Sequence, residues 1–241
     1  MRPKALCLGV LIAGAGHLAS VSAEATPIVF ASGVGIGTEW NMGVNDLGGV
    51  QSTVTLTPKH PSWYGPLGPN GTAHPTASAW VSFINNDRPT DDGQHYDPKD
   101  PIHNDQWVTF RHQFSLPSSP SFKGNFWILA DDTADVWLNG VQLFNAEGKY
   151  APASGQSYLK CGSTPIGCLQ STIGHRNDVG LFALGGSNLL EVRVHQRNGS
   201  GFGLNYYGEL QPVPEPATLL MLGTGLVGAA TAIRRRRRRN Q

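Results

Sequence analysis

Six aspartates, Asp87, Asp91, Asp92, Asp97, Asp100 and Asp105, fall between Asn85 and Asp105 in a stretch with no apolar periodicity. Carboxylates at that density suit calcium, which takes about 6–8 oxygens from carboxylates, amides and carbonyls. Asp91, Asp97, Asp100 and Asp105 are the candidate calcium ligands, and the sequence calls for no other cofactor. The spacing departs from an EF-hand, because Asp91-Asp92-Gly93 is not followed by the required ligand series. His95-Tyr96-Asp97 and His103-Asn104-Asp105 add imidazoles that zinc or another transition metal could use. A solvated loop is the alternative to both readings, and loops of this length are usually functional or disordered.

Trp63 and Tyr64 stand between prolines in Lys59–Pro75, and Tyr96 stands in the acidic loop. Flat aromatic rings stack on the C–H faces of sugars, so these three are candidate ligand contacts. Packing that holds the loops together is the alternative. Trp107, Trp127 and Trp137 lie within strand patterns, opposite the most apolar residues. A sandwich has one wet face per sheet, so one of these could be exposed, with packing again the alternative.

Asp131 and Asp132 have the composition of a glycosidase carboxylate pair. Adjacent residues at a strand end point in opposite directions, so they read better as turn formers. His112 alternates with apolar residues and reads as a satisfied core histidine. Gly33-Val34-Gly35-Ile36-Gly37 lacks the nucleotide-loop spacing and reads as a turn. No Gly-x-Ser-x-Gly or His-Glu-x-x-His motif is present. The expectation is a protein with no catalytic residues.

Cys161 and Cys168 are the two cysteines beyond the N-terminal segment, and in an oxidising compartment they form a disulfide. Two cysteines with no nearby histidine do not make a zinc site.

The elements that must position these residues are strands. Ile28–Ser32, Val50–Thr57, Ala77–Ile84, Trp107–Leu116, Gly124–Ala130, Ala134–Leu138, Val141–Phe144, Leu189–Gln196 and Phe202–Leu210 are the predicted ones. In Trp107–Leu116 the residues Val108, Phe110, His112, Phe114 and Leu116 share one face. Asn139-Gly140 predicts a type I′ hairpin turn. With 30 glycines, 17 prolines and no long helical pattern between the termini, the fold class is all-β, an antiparallel β-sandwich.

The termini set the destination. Residues 1–23 read as a signal peptide, with Arg2 and Lys4, an apolar stretch and Val21-Ser22-Ala23 before the cut by signal peptidase. Residues 24–211 form the secreted domain and 212–216 a linker with Val213-Pro214-Glu215-Pro216. Residues 217–233 are uncharged and span roughly 26 Å as a helix, enough for a single transmembrane segment. Six arginines in the tail, 234–241, hold that end in the cytoplasm and the domain outside it. The whole chain carries 18 basic and 17 acidic residues. Eight of the basic residues lie in the terminal segments and all the acids lie between Glu24 and Glu215, leaving 10 against 17 and a net charge near −7. An acidic domain argues against a nucleic-acid partner.

The ordered sequence of Pro-Glu-Pro, apolar span and arginines resembles the PEP-CTERM sorting signal of exopolysaccharide-producing bacteria. That resemblance implies an inner-membrane precursor and processing by an exosortase. It further implies display at the surface, or in the extracellular matrix, of a Gram-negative bacterium. Asp105–Leu210 resembles galactose-binding-like jelly-roll modules through Phe126-Trp127-Ile128-Leu129-Ala130-Asp131-Asp132, Asp135-Val136-Trp137-Leu138-Asn139-Gly140 and Gly186-Ser187-Asn188-Leu189-Leu190. This implies a jelly-roll fold. The expected role is non-catalytic, either binding exopolysaccharide or building the matrix. The rival readings are a polysaccharide-active enzyme using loop carboxylates and an adhesion protein that self-associates.

Overall fold

The computed structural model describes residues 26–84, 106–118, 121–145, 161–163, 166–196 and 202–213. Fifteen strands are present among them. They are β1 (Ile28–Ala31), β2 (Val34–Gly35), β3 (Thr38–Asn41), β4 (Gln51–Ser52), β5 (Val54–Thr55), β6 (Val81–Ser82), β7 (Gln106–Leu116) and β8 (Phe122–Asp131). The rest are β9 (Thr133–Leu138), β10 (Val141–Phe144), β11 (Gly162–Ser163), β12 (Ile166–Gly167), β13 (Gly174–Arg176), β14 (Gly186–Gln196) and β15 (Gly203–Pro212).

Two antiparallel sheets face each other. One runs β10-β9-β14-β7-β3-β4; the other runs β13-β8-β15-β1-β2, with β6 also on β15 and β5 on β6. A two-stranded pair, β11 and β12, stands apart. The alternation read from sequence sets the register: β7 and β14 pair along their full length, from Gln106 opposite Gln196 to Leu116 opposite Gly186. Val108, Phe110, Phe114, Leu190, Val192 and Val194 are thereby all buried against Phe126, Ile128 and Leu204 of the facing sheet. Burying each such side chain contributes roughly 1.5–3 kcal/mol. Asn139 and Gly140 both take positive φ, 52° and 79°, as the hairpin between β9 and β10 requires.

Two predicted strands are shorter than expected. Val50–Thr57 is broken at Thr53, because Gln51–Ser52 pairs with β3 in one sheet while Val54–Thr55 pairs with β6 in the other. The chain changes sheets there, which a period of two cannot register. Of Ala77–Ile84 only Val81–Ser82 pairs. Trp80 is held instead by its indole N–H, which donates to the Tyr64 carbonyl at 3.0 Å.

The two sheets also differ in how many faces they bury. The seven-stranded sheet is covered on its outer side by the 56–80 segment, whose Leu56, Trp63, Leu67 and Trp80 pack on Trp127, Leu129 and Tyr207. Asn205 pins this segment: its Oδ1 accepts from the Leu67 N–H at 2.8 Å and its Nδ2 donates to Ser78 Oγ at 2.9 Å. Such satisfaction is what a buried amide requires. The expectation of a wet face on each sheet is therefore corrected: the chain's own loop covers one of them.

No helix among the described residues is long and apolar enough to cross a membrane. The signal peptide, the Ala217–Ile233 span and the arginine tail lie outside the described residues.

Candidate functional site

The outer face of the six-stranded sheet carries a row of side chains set by strand register. Trp40 lies opposite Arg111, Arg111 opposite Glu191, Glu191 opposite Trp137 and Trp137 opposite Gln142. Each residue of this row is half-buried, with part of its side chain at the surface. The two tryptophans are separated by three strand spacings, roughly 14 Å. Between them the Arg111 Nε–H donates to Glu191 Oε1 at 2.9 Å. The guanidinium of Arg193 sits over the Trp137 ring, 5.7 Å from its centroid, and holds that indole in place. Further along β7 and β14, Trp107 lies opposite His195, which is paired to Asp135 with Nε2 and Oδ2 2.9 Å apart.

This face therefore presents three partly exposed indoles with ion-paired polar groups between them. It carries as many arginines, Arg111 and Arg193, as carboxylates, Glu191 and Asp135, so it is close to electrically balanced, unlike the acidic domain as a whole. A flat, balanced surface of rings and hydrogen-bonding groups is suited to stacking on sugar faces and bonding sugar hydroxyls.

A second feature is a polar pocket of about 290 Å³ lined by Gly33–Gly37, Glu39, Thr53, Thr55 and His112. Glu39 and His112 are cross-strand partners pointing inward from β3 and β7. They meet Tyr206 of the facing sheet: His112 Nδ1 lies 2.7 Å from Tyr206 Oη, which lies 2.9 Å from Glu39 Oε1. The other ring nitrogen, Nε2, is 2.6 Å from the Ile36 carbonyl, which can only accept, so Nε2 carries a proton. Glu39 Oε2 accepts from the Gly33 N–H at 3.0 Å.

Two proton arrangements satisfy every contact, an imidazolium with a carboxylate or a neutral imidazole with a carboxylic acid. Burial pushes the Glu39 carboxyl up and the His112 imidazole down. Both shifts favour the neutral arrangement. Burial pushes the Tyr206 phenol well up, and any negative charge on Glu39 acts in the same direction. Gly37 fits only as glycine, since its φ is 103° and a Cβ would stand 2.3 Å from the Gln113 carbonyl.

Asp131 and Asp132 form a third cluster. Alternation predicts that they diverge, but Asp132 lies between β8 and β9 rather than in a strand. Their carboxyls approach closely enough to share a hydrogen bond. Burial and the neighbouring Asp132 charge push the Asp131 carboxyl up to about 8, although the Trp63 indole N–H donates to its Oδ2 at 2.8 Å. Asp131 also lies close to the sulfurs of Cys161 and Cys168. Those sulfurs are joined in the predicted disulfide, with Cα atoms 4.4 Å apart, and so are spent on each other rather than offered to a metal.

The residues singled out from sequence fare unequally. Trp63 is only 3 % exposed, stacked on Trp80 at 4.2 Å, and offers no ring face to solvent. Tyr64 is half-buried, and its hydroxyl accepts from the Ala73 N–H at 3.2 Å. Trp127 is buried and stacks on His175 at 4.9 Å. Tyr96 and the calcium candidates Asp91, Asp97, Asp100 and Asp105 lie outside the described residues, as do Pro214, Glu215 and Pro216. Val213 is described and exposed. Sequence reading missed Trp40, Glu39 and Tyr206. A four-residue strand shows too little alternation to assign faces to the first two, and Tyr206 meets its partners only across the sandwich.

The model of the PEP-CTERM protein-sorting motif matches residues 212–238. No curated protein matches the chain. Among solved structures, the chain is similar to a beta-glucosidase from Kluyveromyces marxianus in complex with glucose. The two are 14 % identical, covering 68 % of this chain and 16 % of that one, with a TM-score of 0.28. The selenomethionine-labelled form of that beta-glucosidase gives 13 % identity, 61 % and 16 % coverage and the same TM-score of 0.28. The chain thus spans about 16 % of the length of these proteins, and a likeness at this level carries no argument.

Proposed function

We propose that this protein is a non-catalytic, polysaccharide-binding component of the extracellular matrix. Its PEP-CTERM motif implies export, exosortase processing and a cell-surface or extracellular destination. Before processing, the Ala217–Ile233 span holds the precursor in the inner membrane; afterwards the acidic sandwich is displayed or released. Its ligand is an extended, uncharged stretch of exopolysaccharide, bound across the outer face of the six-stranded sheet.

The observation that carries this reading is the single register row Trp40–Arg111–Glu191–Trp137. Two tryptophans at strand positions roughly 14 Å apart suit an oligosaccharide rather than one sugar. The intervening polar groups supply both donors and acceptors. A binding rather than catalytic role is favoured by the carboxylates of this face, because Glu191 and Asp135 are engaged by Arg111 and His195. Adding the producer's exopolysaccharide to the exported protein should shift and saturate its tryptophan fluorescence. A parallel titration in EDTA reads out any calcium held by the aspartate loop. Unchanged fluorescence at saturating polymer would count against the reading.

A further inference from the structure

Four of the eight large apolar side chains that are exposed among the described residues, Val141, Leu181, Leu184 and Val213, gather at one end of the sandwich. Their placement follows from backbone contacts. The Val213 N–H donates to the Ser121 carbonyl at 2.7 Å, and Pro212 pairs with Phe122. Gly180, next to Leu181, abuts this same turn, since a Cβ on it would stand 2.4 Å from the Phe122 carbonyl. Gly185, next to Leu184, abuts Ser118, a Cβ there standing 2.7 Å from its Cα. Asn139, two residues before Val141, donates through Nδ2 to the Phe182 carbonyl at 2.8 Å. Leu181 is 79 % and Leu184 56 % exposed, although their neighbours Phe182 and Ala183 pack on the core.

This is also the end at which the chain leaves toward its apolar run. Only Pro214, Glu215 and Pro216 separate Val213 from Ala217. Four residue steps reach at most about 14 Å. The interfacial layer on each side of a bilayer is roughly 6 Å deep. With Ala217 at the edge of the hydrocarbon, Val213 can stand at most about 8 Å beyond the headgroups, so the Leu181–Leu184 end is kept within reach of the bilayer surface. The charges there are compatible with such contact. Asp178 is held by Arg176 at 2.6 Å, and the exposed Lys123 beside Gly180 suits an anionic surface.

We propose that this end is a membrane-docking surface, in which Leu181 and Leu184 seat the precursor on the inner-membrane interface and hold Pro-Glu-Pro at the bilayer. The occupant is the phospholipid interface, met in the precursor and given up once the span is removed. The inference rests on the reading of Ala217–Ile233 as a membrane span.

The test uses the full-length precursor in vesicles of phosphatidylethanolamine and phosphatidylglycerol. Leu181→Cys, Leu184→Cys and Leu47→Cys would each carry an environment-sensitive fluorophore. Leu47 is 86 % exposed and sits at the far end of β7, where Asp46 accepts from the Thr109 N–H at 3.0 Å and Asn45 from the Trp107 N–H at 3.2 Å. It is an apolar control roughly 30 Å away. Labels at 181 and 184 should shift to the blue and be quenched by nitroxides on the lipid, while the label at 47 is not. Flotation with the vesicles is measured in the same sample. Floating protein with 181 and 184 as wet as 47 would overturn the docking surface and leave the membrane span standing. Protein that fails to float would overturn both.

Discussion

Trp40 and Trp137 stand on one row of the six-stranded sheet, with the Arg111–Glu191 ion pair, 2.9 Å long, between them. The relationship is set by backbone pairing rather than by loop conformation, so the spacing of the two strand positions is as rigid as the sheet itself. Rigid aromatic anchors bind at a low entropic cost, because little side-chain freedom is lost on contact. Among the described residues the opposite sheet has no comparable surface, since its outer side is covered by the segment that carries Trp63 and Trp80.

Tyr206→Phe removes the hydroxyl that joins Glu39 and His112 across the sandwich. Two buried polar groups then lose a partner at once, and each such loss costs about 1–3 kcal/mol. A fall in stability of about 2–4 kcal/mol in urea unfolding is expected. A change below about 0.5 kcal/mol would mean that the trio contributes nothing to holding the sheets together.

Asp131 titrates near 8 in the folded chain and near 3.8 in its ordinary state. Between those values the folded protein binds a proton that the unfolded chain has lost, so stability falls as pH rises through this window. Asp131→Asn keeps an acceptor for the Trp63 indole and removes the titration. The variant should show a flatter melting temperature between pH 4 and 8 than the parent, and equal or greater stability at pH 8. A parallel pair of profiles would contradict the assignment.

Reduction of Cys161–Cys168 opens a short loop whose closure is worth roughly 2–3 kcal/mol on the chain-entropy model. Cys161→Ser with Cys168→Ser should lower stability by about that amount. Thiol labelling of freshly exported parent protein should find neither cysteine reactive.

Pro214→Ala with Glu215→Ala should leave full-length chain in the inner membrane, detected by immunoblotting of membrane fractions. A normally shortened extracellular product would show that processing does not read the motif.

The long strands were legible because their alternation is long. In Trp107–Leu116 every second residue but His112 is apolar, and in Leu189–Gln196 Leu190, Val192 and Val194 keep the same period; the two strands pair along their whole length. Asn139-Gly140 marked its hairpin through the left-handed backbone that these residues tolerate. Two-residue strands such as Val54–Thr55 leave no periodic trace, and a strand that changes sheets breaks its own period. The row of tryptophans and paired charges was half legible. Trp107 and Trp137 could be assigned to the polar side of their strands, but which sheet face stays wet depends on where the 56–80 segment lies. That segment is anchored by Asn205, well over a hundred residues away in sequence. The same anchoring removed Trp63 from the surface, although its Pro-rich setting reads like an exposed loop.

The measurement that tests the central claim most directly is calorimetric titration of the producer's exopolysaccharide into the exported protein, its Trp40→Ala and Trp137→Ala variants and the double variant. The account predicts saturable binding by the parent and a loss of about tenfold for each single change, which corresponds to about 1.4 kcal/mol. Losses at well-separated positions should add in the double variant. All four proteins should melt within about 2–4 °C of one another, so that the loss reads binding and not folding. Affinity that is unchanged in the folded double variant, or no binding by the parent, would contradict it.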